Sequence, residues 1–250
     1  MEELRERRAH EGRLTPDRAL GSLDEAEEFL LDRGLLTRTA DSALPSLFEA
    51  CHEEPYAPES PGFGQWPRTK FPWLGELGAC GYPVLAIHRG KNVLVSQDVA
   101  RLADPVCRAE IARMEQADPG WARLLRHLAS AGPSELEDLQ LELDLKPKEL
   151  KRLRSPLERC GAILSRSIVY EEPHRHTSEL CRWDQLVPEP VEGGGLAELL
   201  VAGVRAAVLA PEKELPRWFS WQWYWDDGLV DRLVDDGRLF RPEPGWVAAP

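Results

Sequence analysis

One short phrase occurs three times in this chain and limits what it can fold into. In each copy an amphipathic helical stretch reaches a glycine and continues as a short apolar run that ends in arginine. A glycine there ends a helix in the left-handed conformation, which other residues adopt at a steric cost, and the β-prone residues that follow favour a strand. The three glycines are Gly34, Gly161 and Gly237. The repeat therefore predicts small modules in which helices are followed by short strands.

Helices that lead through a glycine into a β-hairpin are typical of winged-helix modules. We therefore predict an α+β fold, mainly α, of tandem winged helix-turn-helix modules with small β-hairpin wings. Segments rich in proline and glycine divide the chain. The predicted parts are a charged leader at 1–21, module 1 at 22–117, module 2 at 118–186, a linker at 187–195 and module 3 at 196–250.

Module 2 has the clearest pattern. A helix is predicted over 121–131, and Ser134 and Glu135 then cap a second helix that runs to Leu143. Pro147 opens a third helix, whose leucines face inward, and two strands are predicted at 163–170 and 177–183. The inward-facing leucines are Leu150, Leu153 and Leu157.

Hairpins are also predicted in the other two modules. In module 1, strands at 84–88 and 93–95 flank a four-residue turn. In module 3, a helix is predicted over 196–209, and runs at 239–241 and 246–248 form a small terminal hairpin. The aromatic run Trp218–Trp225 is more than one small module needs for its core, so we interpret it as a packing seam between modules, with a ligand or partner surface as the alternative.

Charge argues against general binding of polyanions and for a local surface. The chain carries a net charge of −12, whereas contact with phosphates depends on lysine and arginine. From Lys146 to Arg175, however, eight basic residues stand against four acidic ones. In a winged helix the third helix enters the major groove, so its cations are natural contacts. They are Lys148, Lys151, Arg152 and Arg154. A solvated charged helix face is the alternative.

Two further segments of module 1 combine cations with features that suit nucleic acid. The loop at 62–73 mixes aromatic residues, glycines and cations, and its Gln65, Trp66 and Lys70 are candidate DNA contacts. It could equally be a packed cap over module 1. Arg89 and Lys91 flank a turn that exposes backbone N–H groups, which suits phosphate, although such a tip is also an ordinary soluble turn.

Signals for other chemistry are weak. Five scattered cysteines without a C-x-x-C pair indicate reduced thiols, and we expect no metal and no cofactor. The sequence has no P-loop, dinucleotide glycine fingerprint, G-x-S-x-G or H-E-x-x-H. It also lacks a signal peptide and a transmembrane stretch, which predicts a cytoplasmic protein without a membrane partner.

The three modules, the 63–73 loop and the Ile87–Lys91 hairpin resemble the AlkZ/YcaQ family of bacterial DNA glycosylases, particularly its divergent AlkZ-related branch. The resemblance covers roughly 22–250. It implies tandem winged helices, double-stranded DNA bound in a concave surface between modules, and excision of damaged bases without a cofactor. Active members carry a Gln-apolar-Gln or Gln-apolar-Asp motif near the amino terminus. This chain has none there, and its Gln116-Ala117-Asp118 lies in the hinge before module 2.

The functional prediction is therefore a DNA-binding protein that resembles DNA glycosylases and acts on damaged DNA in repair, with its catalytic residues unassigned. Two alternatives stay open. One is a winged-helix transcription regulator that binds DNA without excision. The other is a protein-interaction scaffold with a protein partner, which the acidic net charge also suits.

Overall fold

The computed structural model describes residues 1–53, 66–170 and 175–250. A leader helix α1 (Glu2–Glu11) comes first. A first group of elements follows, and its three strands form an antiparallel sheet of order β1-β3-β2. The elements of the first group are α2 (Leu23–Arg33), β1 (Leu35–Thr37), α3 (Leu47–Ala50), α4 (Trp73–Ala79), β2 (Val84–His88) and β3 (Lys91–Val95).

A long helix, α5 (Gln97–Ala117), leads to a second group of elements. Its sheet is again antiparallel and has the order β4-β6-β5, and the short helix α9 (Trp183–Leu186) follows it. The elements of the second group are α6 (Pro119–Ala131), β4 (Ser134–Glu135), α7 (Leu136–Glu142), α8 (Pro147–Arg159), β5 (Ile163–Tyr170) and β6 (Arg175–Arg182).

A third group of elements is shorter and repeats the same order. The last strand pairs with the first one, and Phe240 forms a single bridge to the other side of Ala248. In all three groups, therefore, the final strand has a partner on each side. The partners are β1 and β2 for β3, β4 and β5 for β6, and, in the third group, the first strand and Phe240 for the last strand. The elements of the third group are α10 (Leu196–Ala207), β7 (Leu209–Pro211), 3-10 helices at Glu212–Arg217 and Gln222–Tyr224, α11 (Leu229–Asp235) and β8 (Trp246–Ala248). The protein is thus mixed α and β, mainly helical, with small antiparallel sheets.

The three glycines of the repeated phrase adopt the predicted left-handed conformation. Their φ angles are 79°, 77° and 70° at Gly34, Gly161 and Gly237. A strand follows directly after Gly34, and β5 begins two residues after Gly161. After Gly237 the strand is reduced to the bridge at Phe240.

The surroundings of two of these glycines predict different costs of substitution. A Cβ at Gly161 would lie 2.7 Å from the Cys107 sulfur, whereas a Cβ at Gly237 would meet nothing within 4 Å. Gly237→Ala should cost about 1–2 kcal/mol of unfolding free energy through backbone strain alone. Gly161→Ala should cost about 1–3 kcal/mol more, because the buried sulfur has to move. Urea unfolding of both variants tests this, and equal losses would contradict it.

Several boundaries predicted from the sequence were wrong. Ser134 and Glu135 form strand β4, because Leu180 and Glu179 of β6 offer them backbone partners. Glu135 is also the N-cap residue of α7, but its side chain makes no capping hydrogen bond. The helix predicted over 196–209 ends at Ala207, since Val208 has a φ of 65° and the next three residues pair with β8. The strand predicted to run to residue 183 ends earlier, because Trp183 begins α9.

One hydrophobic core joins all three groups. It includes Leu35 in β1, Leu157 in α8 and Val247 in β8, while a smaller core lies beneath α2 and α4. The predicted linker lies along α5, where Asp104 accepts a hydrogen bond from the Val191 N–H at 2.9 Å. The groups therefore pack as one body around α5.

Candidate functional site

A cleft of about 690 Å³ lies where the three groups meet. Its wall is formed by the β2–β3 turn, the ends of α5 and α8, the start of α6 and the segment that follows β7. Arginines and large aromatic residues dominate this wall, and none of the described residues that line it is acidic. The residues in question are Arg89, Arg113, Arg159, Arg217, Trp121, Phe219 and Trp223.

The arginines reach the cleft because tight turns bring distant parts of the chain together. The β2–β3 turn consists of Arg89 and Gly90, both with positive φ. Gly90 leaves room for Arg159 at the end of α8, since a Cβ at Gly90 would lie 3.1 Å from the Arg159 Nε. Because Gly90 has no side chain, Arg159 of the second group can pack against the β2–β3 turn of the first group.

Among the four arginines, one has a carboxylate partner within the described parts of the chain. Arg113 donates from Nε and Nη2 to the two carboxylate oxygens of Glu110, at 2.9 and 2.6 Å. These hydrogen bonds raise the pKa of Arg113 above its ordinary value. Arg89 donates to two backbone carbonyls, those of Asp41 and Arg217, at 2.8 and 3.1 Å.

The side chains of Arg159 and Arg217 are different. Both residues are exposed, and neither side chain has a hydrogen bond or ion pair within the described parts of the chain. Two unpaired cations in a concave wall that lacks carboxylates create a positive potential in a protein of negative net charge. The cleft is therefore suited to an anion.

A buried polar network fastens the wall of the cleft. His88 is fully buried, and its Nδ1 and Nε2 lie 2.7 Å from the Trp218 carbonyl oxygen and 2.8 Å from a carboxylate oxygen of Asp41. Both partners are acceptors, so the ring donates to both only with a proton on each nitrogen. Lys91 donates to the other carboxylate oxygen of Asp41. The network joins the β2–β3 hairpin to the third group.

This network predicts a pH dependence of stability. Burial raises the pKa of Asp41, but hydrogen bonds from Lys91 and His88 outweigh burial and lower the pKa below its ordinary 3.8. A carboxylate with a lowered folded pKa adds stability that is complete above its unfolded pKa and is lost as the pH falls through the folded value.

We therefore expect the wild type to lose stability on acidification below about pH 4, and Asp41→Asn to lose less over the same range. At neutral pH, Asp41→Asn should be less stable by about 1–3 kcal/mol, because hydrogen bonds to a charged group are lost. Urea unfolding of both proteins along a pH series measures this. Parallel pH curves would contradict the role assigned to Asp41.

Helix α8 presents one basic face to solvent, as its periodicity predicts. Leu150, Leu153 and Leu157 are buried as predicted. On the opposite face, four exposed cations and the half-buried Ser155 recur three, four and seven positions apart, a spacing that places them in one stripe. We call this stripe, formed by Lys148, Lys151, Arg152, Ser155 and Arg159, the basic stripe. Its last member lines the cleft, so the stripe and the cleft are continuous.

The predicted DNA contacts of α8 differ in their exposure and in their partners. Lys148, Lys151 and Arg152 are exposed, and their side chains make no hydrogen bond or ion pair with the described residues. Arg154 is half-buried, and its guanidinium donates to the Ser165 hydroxyl at 3.3 Å. Gln65 lies outside the described residues.

The remaining predicted contacts have partners within the protein. Lys70 donates to the Leu20 carbonyl at 2.6 Å and lies over the ring of Trp73. The Trp66 ring stacks on Phe71, which fits the packed-cap alternative for this loop. Arg89 and Lys91, though exposed, are both held by Asp41 as described above. Their assignment as DNA contacts stays a prediction.

Sequence reasoning did not single out Arg113, Arg159, Arg217 and Trp223. A signal existed for Arg159, because it lies eleven residues after Lys148 and so shares its helix face. For Arg113 and Arg217 the sequence holds no such signal, since they are brought together only by the packing of α5 against the third group. Trp223 belongs to the aromatic run Trp218–Trp225, for which a ligand or partner surface is the alternative to a packing seam.

Cys160 also lines the cleft, yet its chemistry is suppressed. Burial raises the pKa of its thiol to about 12, so the nucleophilic thiolate is scarce at neutral pH. The carboxylate behind the wall, Glu110, is buried and paired with Arg113. The arrangement is therefore equipped to bind anions and flat rings.

Comparison with protein-family models, with curated proteins and with solved structures gives no match for this chain. Over the residues that the structure describes, no helix combines the length and apolarity needed to cross a membrane. The same residues contain no cluster of three His, Cys, Asp or Glu side chains that could hold a metal ion.

Proposed function

We propose that the protein binds double-stranded DNA through tandem winged helices. The proposal rests first on topology. Each of the three groups has a helix, a short strand, further helical segments and a terminal pair of β segments. The last strand lies in the middle of a three-stranded sheet in the first two groups, and in the third it pairs with β7 on one side and forms a single bridge to Phe240 on the other. In the winged form of helix-turn-helix, the helix before the hairpin is the one that enters the major groove. In the second group that helix is α8.

The observation that carries the proposal is the continuity of the basic stripe with the cleft. From Lys148 to Arg159 the stripe extends over about 16 Å, given the rise of an α-helix. A single phosphate or a small anion would occupy only a fraction of that length. A duplex backbone carries one negative charge per about 1.7 Å of axis and fits a row of separate cations. The extent of the stripe thus favours a polyanion.

The negative net charge fits a local DNA-binding surface. The net charge of −12 opposes binding wherever acids are exposed, whereas the stripe itself contains four cations and a serine. A protein of this kind is expected to hold DNA in one place and orientation, with its other faces repelling the backbone. The proposed activity is duplex binding. Base excision is measured separately in the same experiment.

The experiment is titration of a labelled duplex with the full chain at several salt concentrations, with alkylated and undamaged duplexes compared for binding and for base release. If about four to six phosphates contact the stripe and the cleft, a plot of the logarithm of the binding constant against the logarithm of the salt concentration should have a slope of about −4 to −5. Absence of binding to any duplex at low salt would overturn the proposal. Release of bases from the alkylated duplex alone would add excision to it.

A further inference from the structure

Trp223 is the most exposed aromatic residue in the wall of the cleft. Its side chain is 51% exposed, whereas Trp218, Phe219 and Trp221 of the same aromatic run are almost fully buried. An indole that stays half exposed gains only part of the hydrophobic free energy that full burial would give. Trp223 lines the cleft, so its free surface is available to a ligand there.

Glu110 fixes Trp223 and Arg113 together. This carboxylate is fully buried. It accepts two hydrogen bonds from the Arg113 guanidinium and one from the indole N–H of Trp223, at 2.9 Å. The guanidinium carbon lies 4.5 Å from the centre of the Trp223 ring. Both flat groups are therefore held in place before any ligand arrives, which lowers the entropy cost of binding.

Planar groups of this kind bind nucleobases by stacking. Unpaired bases stack on aromatic rings and on arginine guanidinium planes, whereas a base inside a duplex has both faces covered by its neighbours. Arg113 retains 43% of its side-chain exposure, so the pair leaves flat surface free. Arg159 and Arg217 lie in the same wall, and their side chains have no partner among the described residues, so they can neutralise the phosphates on either side of such a base. This charge favours a nucleotide over an apolar peptide.

We infer that the cleft binds one unpaired nucleotide of a DNA duplex held on the basic stripe. Its base stacks on the Arg113–Trp223 pair, and its flanking phosphates lie against Arg159 and Arg217. The inference rests on the proposed duplex binding and adds a class of substrate to it: duplexes with a bulged, mismatched or otherwise unpaired base. Glu110 acts here as a positioning residue.

The experiment compares three labelled duplexes of the same length: fully paired, with a single-base bulge, and with an abasic bulge at the same position. The abasic bulge has the same backbone flexibility but offers no ring for stacking. The wild type should bind the base-containing bulge at least about fivefold more tightly than the abasic one, which is the lower end of one base–aromatic stack. Trp223→Ala should reduce that ratio to about one, because neither bulge then finds the indole face to stack on.

Two variants provide controls. Trp223→Phe keeps an aromatic face and should retain part of the ratio. Phe240→Ala removes an aromatic residue that is 38% exposed and lies outside the cleft, so it should retain the full ratio. Thermal unfolding followed by circular dichroism shows whether each variant is folded.

The outcomes separate this inference from the proposal beneath it. Equal affinity of the wild type for the two bulges, together with salt-dependent binding of the paired duplex, would overturn the inference and leave duplex binding in place. This comparison needs no variant, so a folding defect in Trp223→Ala does not obstruct it. Absence of binding to all three duplexes would overturn both.

Discussion

Trp221→Ala is expected to lower the free energy of unfolding by about 3–5 kcal/mol, the usual cost of truncating a buried tryptophan. Trp223→Ala, two residues further on, should lower it less, by about 1.5–3 kcal/mol, because it removes a hydrogen bond to the charged Glu110 carboxylate. The two substitutions remove the same atoms, so the difference reports position alone.

Trp221 joins the second and third groups at the centre of the molecule. Its side chain is 1% exposed, and its indole N–H donates to the Cys160 carbonyl at 2.8 Å. The ring also packs where Gly161 has no side chain, since a Cβ there would lie 3.4 Å from a ring carbon. Removing the ring leaves a cavity and takes the donor away from the Cys160 carbonyl.

The measurement is urea unfolding followed by far-ultraviolet circular dichroism, because tryptophan fluorescence changes when a tryptophan is removed. Trp221→Phe serves as a control that refills most of the cavity but leaves the Cys160 carbonyl without its donor. It should fall between the wild type and Trp221→Ala. Similar losses for Trp221→Ala and Trp223→Ala would contradict the division of the aromatic run into a buried and an exposed part.

The second large effect concerns DNA. Replacing Lys148, Lys151 and Arg152 together by alanine is expected to reduce the magnitude of the log–log salt slope by about 3, one unit for each lost phosphate contact. Near 0.1 M salt the duplex affinity should fall by about a hundredfold. None of the three side chains has a partner in the described parts of the chain, so the fold should be retained.

A matched variant removes the same charge elsewhere. Arg5, Arg101 and Lys213 are exposed and lie outside the basic stripe and the cleft. Changing these three to alanine alters the net charge equally but should leave the salt slope unchanged. If both triple variants weaken binding to the same extent, the effect comes from overall charge, and the stripe is not the contact surface.

Periodic patterns predicted much of the fold. The inward leucines of α8 and the left-handed glycines of the repeated phrase were correct, because each depends on local geometry that neighbouring residues determine. The two-residue strand at Ser134–Glu135 was missed, since a strand that short exists only through its partner β6. The same reason explains β7, which pairs with a strand some forty residues later.

The site was less predictable than the fold. The helical pattern of α8 predicts that its cations lie on one exposed face. The sequence does not distinguish a cation without a partner among the described residues from one that donates to a distant backbone carbonyl. Lys70 and Arg89 are examples, because their partners at Leu20 and Arg217 are fifty and 128 residues away. The cleft itself unites residues from all three groups and has no contiguous signature in the chain.

The hydrogen-bonded contacts between the groups have a mechanical consequence. The Ser220 N–H donates to the Ile87 carbonyl at 2.8 Å, as Trp221 does to Cys160, so the first hairpin, α8 and the third group form one stiff frame. A long polymer that touches this frame at several points has to conform to its curvature. For a duplex, bending 20–30 base pairs costs about 1–6 kcal/mol. Selection among ligands would then depend on how easily each ligand deforms.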